Sequence, residues 1–322
     1  MTRVGIIGAC GHYGTALNAG GRVSFIGAAS GGRAEDNAQA LADGRGIPYY
    51  EDWRELLGHV DAVVVNTVFS DNAAIAAEAL GRGVAVYCEK PAATILEDLR
   101  KVEDAAKNSA APYFSMLTLR FDPWFYTAKQ LCDAGAIGRP LLVTGQKSYR
   151  LGSRPAFYAD RALYGGTIPW IGIHVVDLAL WMTGLPCESV TGRHSCVGNG
   201  GNGTMEATAT VNMTLAGGVE AQLHADYLRP ANAPTHGDDR IRIAGDEGVI
   251  EVRGNRVYLI NREHTGDEPM PLLPVAPIFD HFLALIVHPE RRSDAIYHGI
   301  DAFDATRVTL LARADADAHM IA

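Results

Sequence analysis

The chain has 322 residues, of which 48% are hydrophobic, and it carries a formal net charge of −9 at pH 7. This length exceeds the size at which one hydrophobic core usually stops growing, so we expect two domains. The acidic balance and the absence of a run of Lys and Arg argue against nucleic acid as a partner.

The cysteines and the apolar segments bear on location. Five cysteines are scattered without a CxxC pair, and an odd number fits a reducing compartment, so we expect the cytoplasm. Residues 1–8 run directly into a strand and a glycine loop, so no signal peptide is expected. The most apolar later stretch, residues 168–182, is short and contains His174 and Asp177, which predicts that the chain spans no membrane.

The first third of the chain alternates short apolar runs with helical patterns. This alternation is typical of a parallel sheet with crossover helices, and we assign it to a dinucleotide-binding domain over residues 1–119. Strands are predicted at residues 4–7, 23–28, 62–66, 84–88 and 113–116, and helices at residues 33–43, 72–80 and 94–107.

A glycine-rich loop follows the first predicted strand and leads directly into a helix. Where side chains are missing, backbone N–H groups and a helix dipole can approach a pyrophosphate. The spacing is GxxGxxG, with Cys10 at the second glycine of the usual GxGxxG pattern. An ordinary tight turn is the alternative. We assign the cofactor to Gly8, Cys10, Gly11, His12, Tyr13 and Gly14.

The end of the second predicted strand bears on the choice of dinucleotide. NAD sites usually place an acidic residue there to bind the ribose 2′-hydroxyl, whereas residues 28–33 read Ala-Ala-Ser-Gly-Gly-Arg. Ser30 can donate to a 2′-phosphate, and Arg33 can pair with it bidentately. NADP is therefore predicted in preference to NAD. In the alternative, Ser30 caps the next helix and Arg33 is a solvated residue.

From about residue 141 the pattern changes to alternation of polar and apolar residues. It runs over residues 206–215 and resumes over residues 219–226 after two glycines, which predicts an antiparallel hairpin. Further strands are predicted at residues 240–244, 248–253 and 256–260, and helices at residues 279–287 and 300–312. The predicted fold is an α/β N-terminal Rossmann domain followed, over residues 120–322, by an α+β domain with an open, mainly antiparallel sheet.

Several motifs in order along nearly the whole chain resemble one family. They are Glu89-Lys90-Pro91, Met-Leu-Thr-Leu-Arg-Phe-Asp-Pro at 116–123, Gly-Ala-Ile-Gly at 135–138, Gly165-Gly166, and Gly-Ile-His-Val-Val-Asp at 172–177. Together they resemble the glucose-fructose oxidoreductase, inositol dehydrogenase and rhizopine-catabolism (Gfo/Idh/MocA) family. The resemblance implies a Rossmann domain, nicotinamide chemistry, and an open sheet whose exposed face often builds dimers or tetramers.

The resemblance also implies catalytic roles for Lys90 and His174. In the family this lysine lies between nicotinamide and substrate, and this histidine is the acid/base. Hydride transfer from a secondary alcohol requires its proton to leave in the same event, so a proton acceptor must lie within hydrogen-bond reach. An imidazole titrates near neutrality, and an ammonium stabilises a developing alkoxide. Without the resemblance, we would expect a structural histidine and a surface lysine.

The chain departs from its relatives at Trp170. Many members have an aspartate here, four residues before the histidine. A tryptophan cannot accept an imidazole N–H, but its ring can pack on the C–H face of a sugar. Asp177, one turn after His174, can orient the imidazole or can be a cap or surface carboxylate.

The remaining assignments complete the candidate site, for which no metal is expected. Arg154 and Arg161 are the groups that would distinguish an acidic substrate from a neutral one. Tyr158 is considered as a further residue of the pocket. We assign the cofactor also to Thr67, Val68, Asn72, Glu89, Lys90 and Arg120, and the substrate to Lys90, Tyr149, Arg154, Trp170 and His174.

These observations predict an NAD(P)-dependent oxidoreductase that transfers a hydride between nicotinamide and a secondary alcohol or ketone of a sugar, sugar derivative or cyclitol. One alternative is an NAD-assisted glycosidase of the same fold. A second is a non-catalytic dinucleotide-binding regulatory protein, which Trp170 favours and intact Lys90 and His174 oppose. The polar, small-residue face of the hairpin predicts a homodimer or homotetramer through the C-terminal sheet.

Overall fold

The structure is a computed structural model that describes residues 1–319. It divides into two compact units. The chain first passes from one to the other at residue 117, close to the predicted boundary at residue 120. Two later segments within the predicted second domain, Asp160–Gly165 and Ala276–Thr306, pack with the first unit, whereas Leu117–Ala159, Gly166–Val275 and the chain from Arg307 form the second.

The strands and helices follow in chain order. The strands are β1 (Thr2–Ile7), β2 (Val23–Ala29), β3 (Tyr49–Tyr50), β4 (Ala62–Val65), β5 (Ala85–Cys88), β6 (Tyr113–Ser115), β7 (Pro140–Tyr149), β8 (Cys187–Ser195), β9 (Thr208–Leu215), β10 (Val219–Asp226), β11 (Gly237–Gly245), β12 (Val249–Arg253) and β13 (Arg256–Ile260). The α-helices are α1 (Gly14–Leu17), α2 (Ala38–Arg45), α3 (Trp53–Leu57), α4 (Asn72–Gly81), α5 (Leu96–Asn108), α6 (Pro123–Asp133), α7 (Arg161–Tyr164), α8 (Ile173–Thr183), α9 (Ile278–Val287) and α10 (Phe303–Ala318).

The first unit is built on a parallel sheet in the order β3-β2-β1-β4-β5-β6. Every residue of β4 and β5 is buried, as expected for central strands covered by helices on both faces. The strand order reverses between β1 and β4, and dinucleotides bind at the carboxyl ends of strands at such a point. The predicted Rossmann domain is confirmed.

The second unit contains a sheet in the order β13-β12-β11-β7-β10-β9-β8. Only β7 and β10 pair in parallel, so the predicted mainly antiparallel sheet is confirmed. In β9, Ala209, Val211 and Met213 are buried while Thr210 and Asn212 are exposed. The predicted hairpin is β9–β10, and Gly217 and Gly218 take positive φ at its turn, which glycine adopts without steric cost.

One helical run, Arg161–Thr183, is long and apolar enough to cross a membrane by length and composition, with a mean hydropathy of 1.3. The sequence argument that this region is too short was wrong, because α7, a π-helical stretch at Ile168–Gly172 and α8 form one run. Of its most apolar window, 89% is buried inside the protein. This burial is that of a core helix.

A close approach between β8 and α10 gives a test of the packing in the second unit. A Cβ on Gly192 would lie 2.2 Å from the backbone oxygen of Ala312, which cannot move as a flexible side chain can. We expect Gly192→Ala to lower the free energy of unfolding by about 1–3 kcal/mol. Urea titration followed by circular dichroism measures the loss.

The matched control is Gly81→Ala, at the last residue of α4, where an added Cβ would meet no atom within 4 Å. We expect this variant to be as stable as the natural protein or more stable by up to about 1 kcal/mol, because alanine favours a helix. Equal unfolding midpoints for the two variants would contradict the packing described for Gly192.

Candidate functional site

The glycine loop after β1 is fixed by backbone hydrogen bonds to neighbouring strand ends. Gly8 N–H donates to the oxygen of Ala29 at 2.9 Å, and Cys10 N–H donates to the oxygen of Asn66 at 2.8 Å. Gly8 has a φ of 73°, and a Cβ there would lie 2.6 Å from the oxygen of Asn66. The following helix α1 has only four residues. A pyrophosphate at this loop would therefore be bound mainly by local N–H groups rather than by the predicted helix dipole.

The loop keeps donors that the protein itself does not use. Among residues 1–319, the backbone N–H groups of Gly11 and Tyr13 donate to no acceptor. Near them, Asn66 Oδ1 and Asn72 Nδ2 are buried and have no hydrogen-bond partner within the described part of the chain. Buried polar atoms are rarely left unsatisfied, so these atoms fit a site that a polar ligand completes.

The carboxylate of Glu89 connects the glycine loop to Lys90. It accepts the N–H of His12 at 2.6 Å and lies 2.7 Å from the imidazole Nδ1 of the same residue. Its other oxygen accepts the N–H of Lys90 at 2.9 Å. A Cβ on Gly11 would lie 2.0 Å from Glu89 Oε2, so the second glycine of the motif makes room for this carboxylate.

Glu89 is fully buried, and so is the side chain of Lys90, which is 1% exposed. Burial alone would raise the pKa of Glu89, but the charge and hydrogen bonds of His12, with the charge of Lys90, bring the pKa below its usual value. Glu89 is thus held as a carboxylate at the base of the glycine loop. The sequence reasoning assigned Glu89 to the cofactor, and the structure shows that its carboxylate binds the protein.

The predicted cofactor residues after β4 also lie together. Thr67 donates to Asn72 Oδ1 from both its N–H, at 3.0 Å, and its hydroxyl, at 2.8 Å. Val68 N–H donates to Asp36 Oδ1 at 2.9 Å. These bonds fix the loop between β4 and α4 at the carboxyl edge of the sheet.

Asp36 is a residue that the sequence reasoning missed. Its buried carboxylate accepts N–H groups from Gly31 at 2.7 Å and from Val68, and its backbone oxygen accepts the N–H of Ala9 at 2.7 Å. It therefore joins the loops that follow β1, β2 and β4. Burial raises the pKa of Asp36, and the hydrogen bonds from Val68 and Gly31 oppose this rise. In sequence it is one more acidic residue near the start of a helix, and no local pattern marks it.

Ser30 and Arg33, predicted to bind a 2′-phosphate, are engaged within the protein. The hydroxyl of Ser30 lies 3.1 Å from the oxygen of Arg33 and 3.2 Å from Asp36 Oδ2. The guanidinium of Arg33 pairs with Asp71, with Nε 2.5 Å from Oδ2. The side chain of Arg33 is 40% exposed but is paired with Asp71. Ser30 does not cap α2, which begins at Ala38 after Asn37.

In the second unit, His174 is near the start of α8, directly after the π-helical stretch that carries Trp170. Both are buried, with exposures of 1% and 6%. The stretch begins at Thr167, whose N–H donates to Glu206 Oε2 at 2.9 Å and whose hydroxyl donates to the backbone oxygen of Glu206 at 2.7 Å. π-Helical turns often occur at functional sites. The sequence pattern placed Glu206 on the polar face of the hairpin, but the residue is buried, precedes β9 and anchors the helix of His174.

Asp177 takes neither of the roles considered from sequence. Arg120 binds it bidentately, with Nε–Oδ2 at 2.8 Å and Nη2–Oδ1 at 2.5 Å, and both residues are buried. Among the described residues, Asp177 hydrogen-bonds to Arg120 and to no other side chain, so it does not orient His174 directly. Burial raises the pKa of Asp177, and Arg120 opposes the rise. The guanidinium of Arg120, assigned to the cofactor, is thus occupied by a carboxylate of its own unit.

The predicted substrate residues form two groups in the second unit. Tyr158 meets Trp170 edge to face at 6.1 Å, and Arg154 lies 5.7 Å from the ring of Tyr158. Tyr149 instead lies 5.3 Å from the ring of His236, and Lys147 Nζ is 4.6 Å from its centroid. Arg161 belongs to the first unit.

One group of side chains, His194, Glu206 and Asp317, has the composition of a metal site. The imidazole Nδ1 lies 3.3 Å from Glu206 Oε1, and Nε2 lies 3.2 Å from Asp317 Oδ1. The carboxylates therefore face opposite nitrogens of one ring. In a metal site one imidazole nitrogen and the carboxylate oxygens converge on a single ion, so this arrangement fits an imidazole held between two carboxylates better.

Comparison with known proteins agrees with this architecture. Residues 2–116 match the model of an oxidoreductase family with an NAD-binding Rossmann fold, and residues 125–251 match the GFO/IDH/MocA C-terminal domain. A solved structure described as an oxidoreductase from Thermotoga maritima is 38% identical, with a TM-score of 0.90 over 99% of this chain and 98% of that one.

Two curated relatives match shorter regions. Inositol 2-dehydrogenase 2 of Saccharopolyspora erythraea is 33% identical over 58% of this chain and 56% of its own length. The scyllo-inositol 2-dehydrogenase (NAD(+)) of Bacillus subtilis is 30% identical over 72% of this chain and 66% of its own length. The matches thus span less than two thirds of these relatives. With residues 2–116 and 125–251 matched by the family's own models, the chain belongs to the Gfo/Idh/MocA family of oxidoreductases.

Proposed function

We propose that the protein transfers a hydride between a nicotinamide dinucleotide and a secondary alcohol or ketone of a sugar, sugar derivative or cyclitol. The observation that carries the proposal is the connection through Glu89, which joins a loop with free N–H groups to the buried Lys90. Burying an ammonium is costly, so a buried lysine beside the dinucleotide loop favours a role at the reacting centre. The two relatives named as inositol dehydrogenases support a polyol substrate.

The chemistry divides between two side chains. Bound dinucleotide supplies the hydride acceptor or donor, and the N–H groups of Gly11 and Tyr13 are the groups that would hold its pyrophosphate. Lys90 binds the substrate oxygen and stabilises the negative charge that develops on it. In the oxidative direction His174 accepts the hydroxyl proton as the carbon loses its hydride, and in the reductive direction it returns that proton.

The fold binds NAD-type cofactors, and we propose the finer preference for NADP over NAD on residues 28–33. That segment contains no acidic residue of its own to bind a ribose 2′-hydroxyl, and it contains Arg33, which can pair with a 2′-phosphate. Two observations limit the preference. Arg33 is shared with Asp71, and the Bacillus subtilis relative is named as an NAD(+) enzyme.

In this proposal the ring of Trp170 forms one wall of the substrate pocket. Its buried ring is braced by Tyr158, with Arg154 beside Tyr158, so an aromatic surface and a cation lie in one group. Aromatic faces pack on the C–H faces of pyranose and cyclitol rings. An NAD-assisted glycosidase and a regulatory dinucleotide-binding protein are the outcomes that absent polyol turnover would favour.

We further propose that the protein works in the cytoplasm. All five cysteines are free thiols, and burial raises the pKa of Cys10 in the glycine loop to about 12. A thiol with a raised pKa resists oxidation and does not act as a nucleophile at neutral pH.

We also propose that the open face of the second sheet binds a second copy of the chain. A row of apolar residues crosses this face in register, from Ile260 through Val249 and Ala244 to Leu142. Ile260 is 43% exposed and Leu142 is 36% exposed. The next row is polar and includes Glu251, Arg242 and Thr144. An apolar band with a polar rim is typical of an interface.

The glycine loop gives the first test of the proposal. An added Cβ at Gly11 would force Glu89 away from His12 and Lys90, so we expect Gly11→Ala to weaken NADH and NADPH binding by at least about 10-fold. Gly21→Ala is the control, since a Cβ there would meet no atom within 4 Å. Fluorescence titration measures both variants. Natural affinity in Gly11→Ala would contradict the role given to Glu89.

The catalytic pair is tested by turnover on one panel of sugars and cyclitols. We expect His174→Ala to lower kcat by about 10²- to 10⁴-fold, the usual contribution of a positioned acid/base. Lys90→Ala should be at least as damaging, because it removes substrate placement and charge stabilisation together. If the Trp170 ring packs on the substrate, Trp170→Asp should raise KM and leave kcat close to that of the natural protein.

Dinucleotide affinity is the control in these variants. His174 is in the second unit, so His174→Ala should bind NADH and NADPH as the natural protein does. Turnover at the natural rate in His174→Ala would contradict the proposed mechanism. Dinucleotide binding without turnover of any polyol by the natural protein would favour the regulatory alternative.

The oligomer is tested by light scattering at micromolar concentration. We expect a dimer or tetramer of the 34.4 kDa chain, and we expect Leu142→Glu to dissociate it, because it places a charge in the apolar row. Leu272→Glu is the matched control: Leu272 is 43% exposed and lies outside the sheet. A natural protein that is monomeric would refute this interface.

A further inference from the structure

The partner of Arg33 in this structure is a carboxylate on a different loop. Its Nε lies 2.5 Å from Asp71 Oδ2 and its Nη2 lies 3.3 Å from Asp71 Oδ1. One edge of the guanidinium therefore faces both oxygens of Asp71, which directly precedes α4. The side chains are 40% and 24% exposed, so a ligand can reach this pair from solvent.

A carboxylate and a 2′-phosphate compete for one guanidinium. The planar carboxylate and the tetrahedral phosphate each present two anionic oxygens that an arginine fork can bind bidentately. While Asp71 holds one edge and neutralises the charge, a phosphate must displace the carboxylate or share the remaining donors. A ribose 2′-hydroxyl is neutral and makes no such demand, so the competition affects NADP more than NAD.

The neighbouring groups do not take over this function. The hydroxyl of Ser30 is within reach of Asp36, and Asp36 itself is buried and occupied by the N–H groups of Gly31 and Val68. Asp71 can be changed without disturbing that junction, because its carboxylate receives hydrogen bonds only from Arg33 and from the hydroxyl of Ser70, at 2.9 Å, among residues 1–319.

We propose that Asp71 is a specificity-determining residue that limits the affinity for NADP by holding Arg33 against a 2′-phosphate. The inference rests on the proposed function in requiring that the chain bind a nicotinamide dinucleotide with its ribose 2′-position beside Arg33. The preference between NAD and NADP then depends on the loop after β4, which contains Asp71, as well as on the loop after β2, which contains Arg33.

The test is a double-mutant cycle on binding, with no turnover required. Dissociation constants for NADPH and NADH are measured by fluorescence titration at low, fixed ionic strength for the natural protein, Asp71→Asn, Arg33→Ala and the double variant. Asparagine keeps the size of the side chain and an acceptor for Ser70 while removing the charge. We expect Asp71→Asn to strengthen NADPH binding by about 5- to 10-fold, the effect of one charge-assisted hydrogen bond, and NADH binding by less than about 2-fold.

In the Arg33→Ala background, the same Asp71→Asn change should leave the ratio of the two dissociation constants unaltered. Arg33→Ala alone should remove most of any preference for NADPH. The proposal is overturned if Asp71→Asn raises the ratio of the NADH to the NADPH dissociation constant equally with and without Arg33. Asp71 would then act on the phosphate directly.

Glu35→Gln is the matched control for net charge. Glu35 is exposed, lies two residues from Arg33 and, among the described residues, accepts no hydrogen bond from the Arg33 side chain. An equal gain in NADPH affinity from Glu35→Gln would show a general charge effect and overturn the proposal. An unchanged ratio in Asp71→Asn, with binding intact, overturns this inference alone, whereas a natural protein that binds neither dinucleotide overturns the proposed function with it.

Discussion

A buried carboxylate at the end of β5 is the constraint on which the dinucleotide half of the site depends. An ionised carboxylate without partners is costly in a protein interior, so Glu89 must be fully hydrogen-bonded. Its partners are the glycine loop, through His12, and the backbone of Lys90. The requirement explains why position 11 has no side chain, and it ties the placement of Lys90 to the shape of the loop.

Buried carboxylates fix other segments of the chain in the same way. Asp36 joins three loops at the carboxyl edge of the parallel sheet, Glu206 anchors the start of the helix of His174, and Asp177 holds Arg120. Loops contain too few apolar residues to be fixed by packing alone. Charge-assisted hydrogen bonds to a buried carboxylate supply directional restraint instead. Loss of one partner leaves the charge unsatisfied, so these junctions are more sensitive to substitution than the surrounding core.

Features that depend on local pattern could be predicted from the sequence. The strands β4 and β5 are continuous apolar runs, and β9–β10 alternates strictly, so their patterns predict them. Strand β7 was missed because Lys147 and Ser148 are buried in it, and the lysine is satisfied by Asp239, 92 residues away. Arg120 and Asp177 are 57 residues apart. No window of sequence contains both members of such a pair, and the roles of Asp36 and Asp177 follow only from their partners.

The surroundings of Trp170 bear on its departure from the aspartate that the resemblance leads us to expect at this position. A carboxylate at a position that is 6% exposed would need its own cation or donors, as Glu89 and Asp177 have. Position 170 is instead packed edge to face against Tyr158, with Arg154 next to Tyr158 and stacked over Tyr227 at 4.6 Å. A site that had merely lost its aspartate would keep the groups that once satisfied the charge. Here an aromatic ring, that of Tyr158, packs against the tryptophan. This contact agrees with the proposal that Trp170 holds the ring of a substrate.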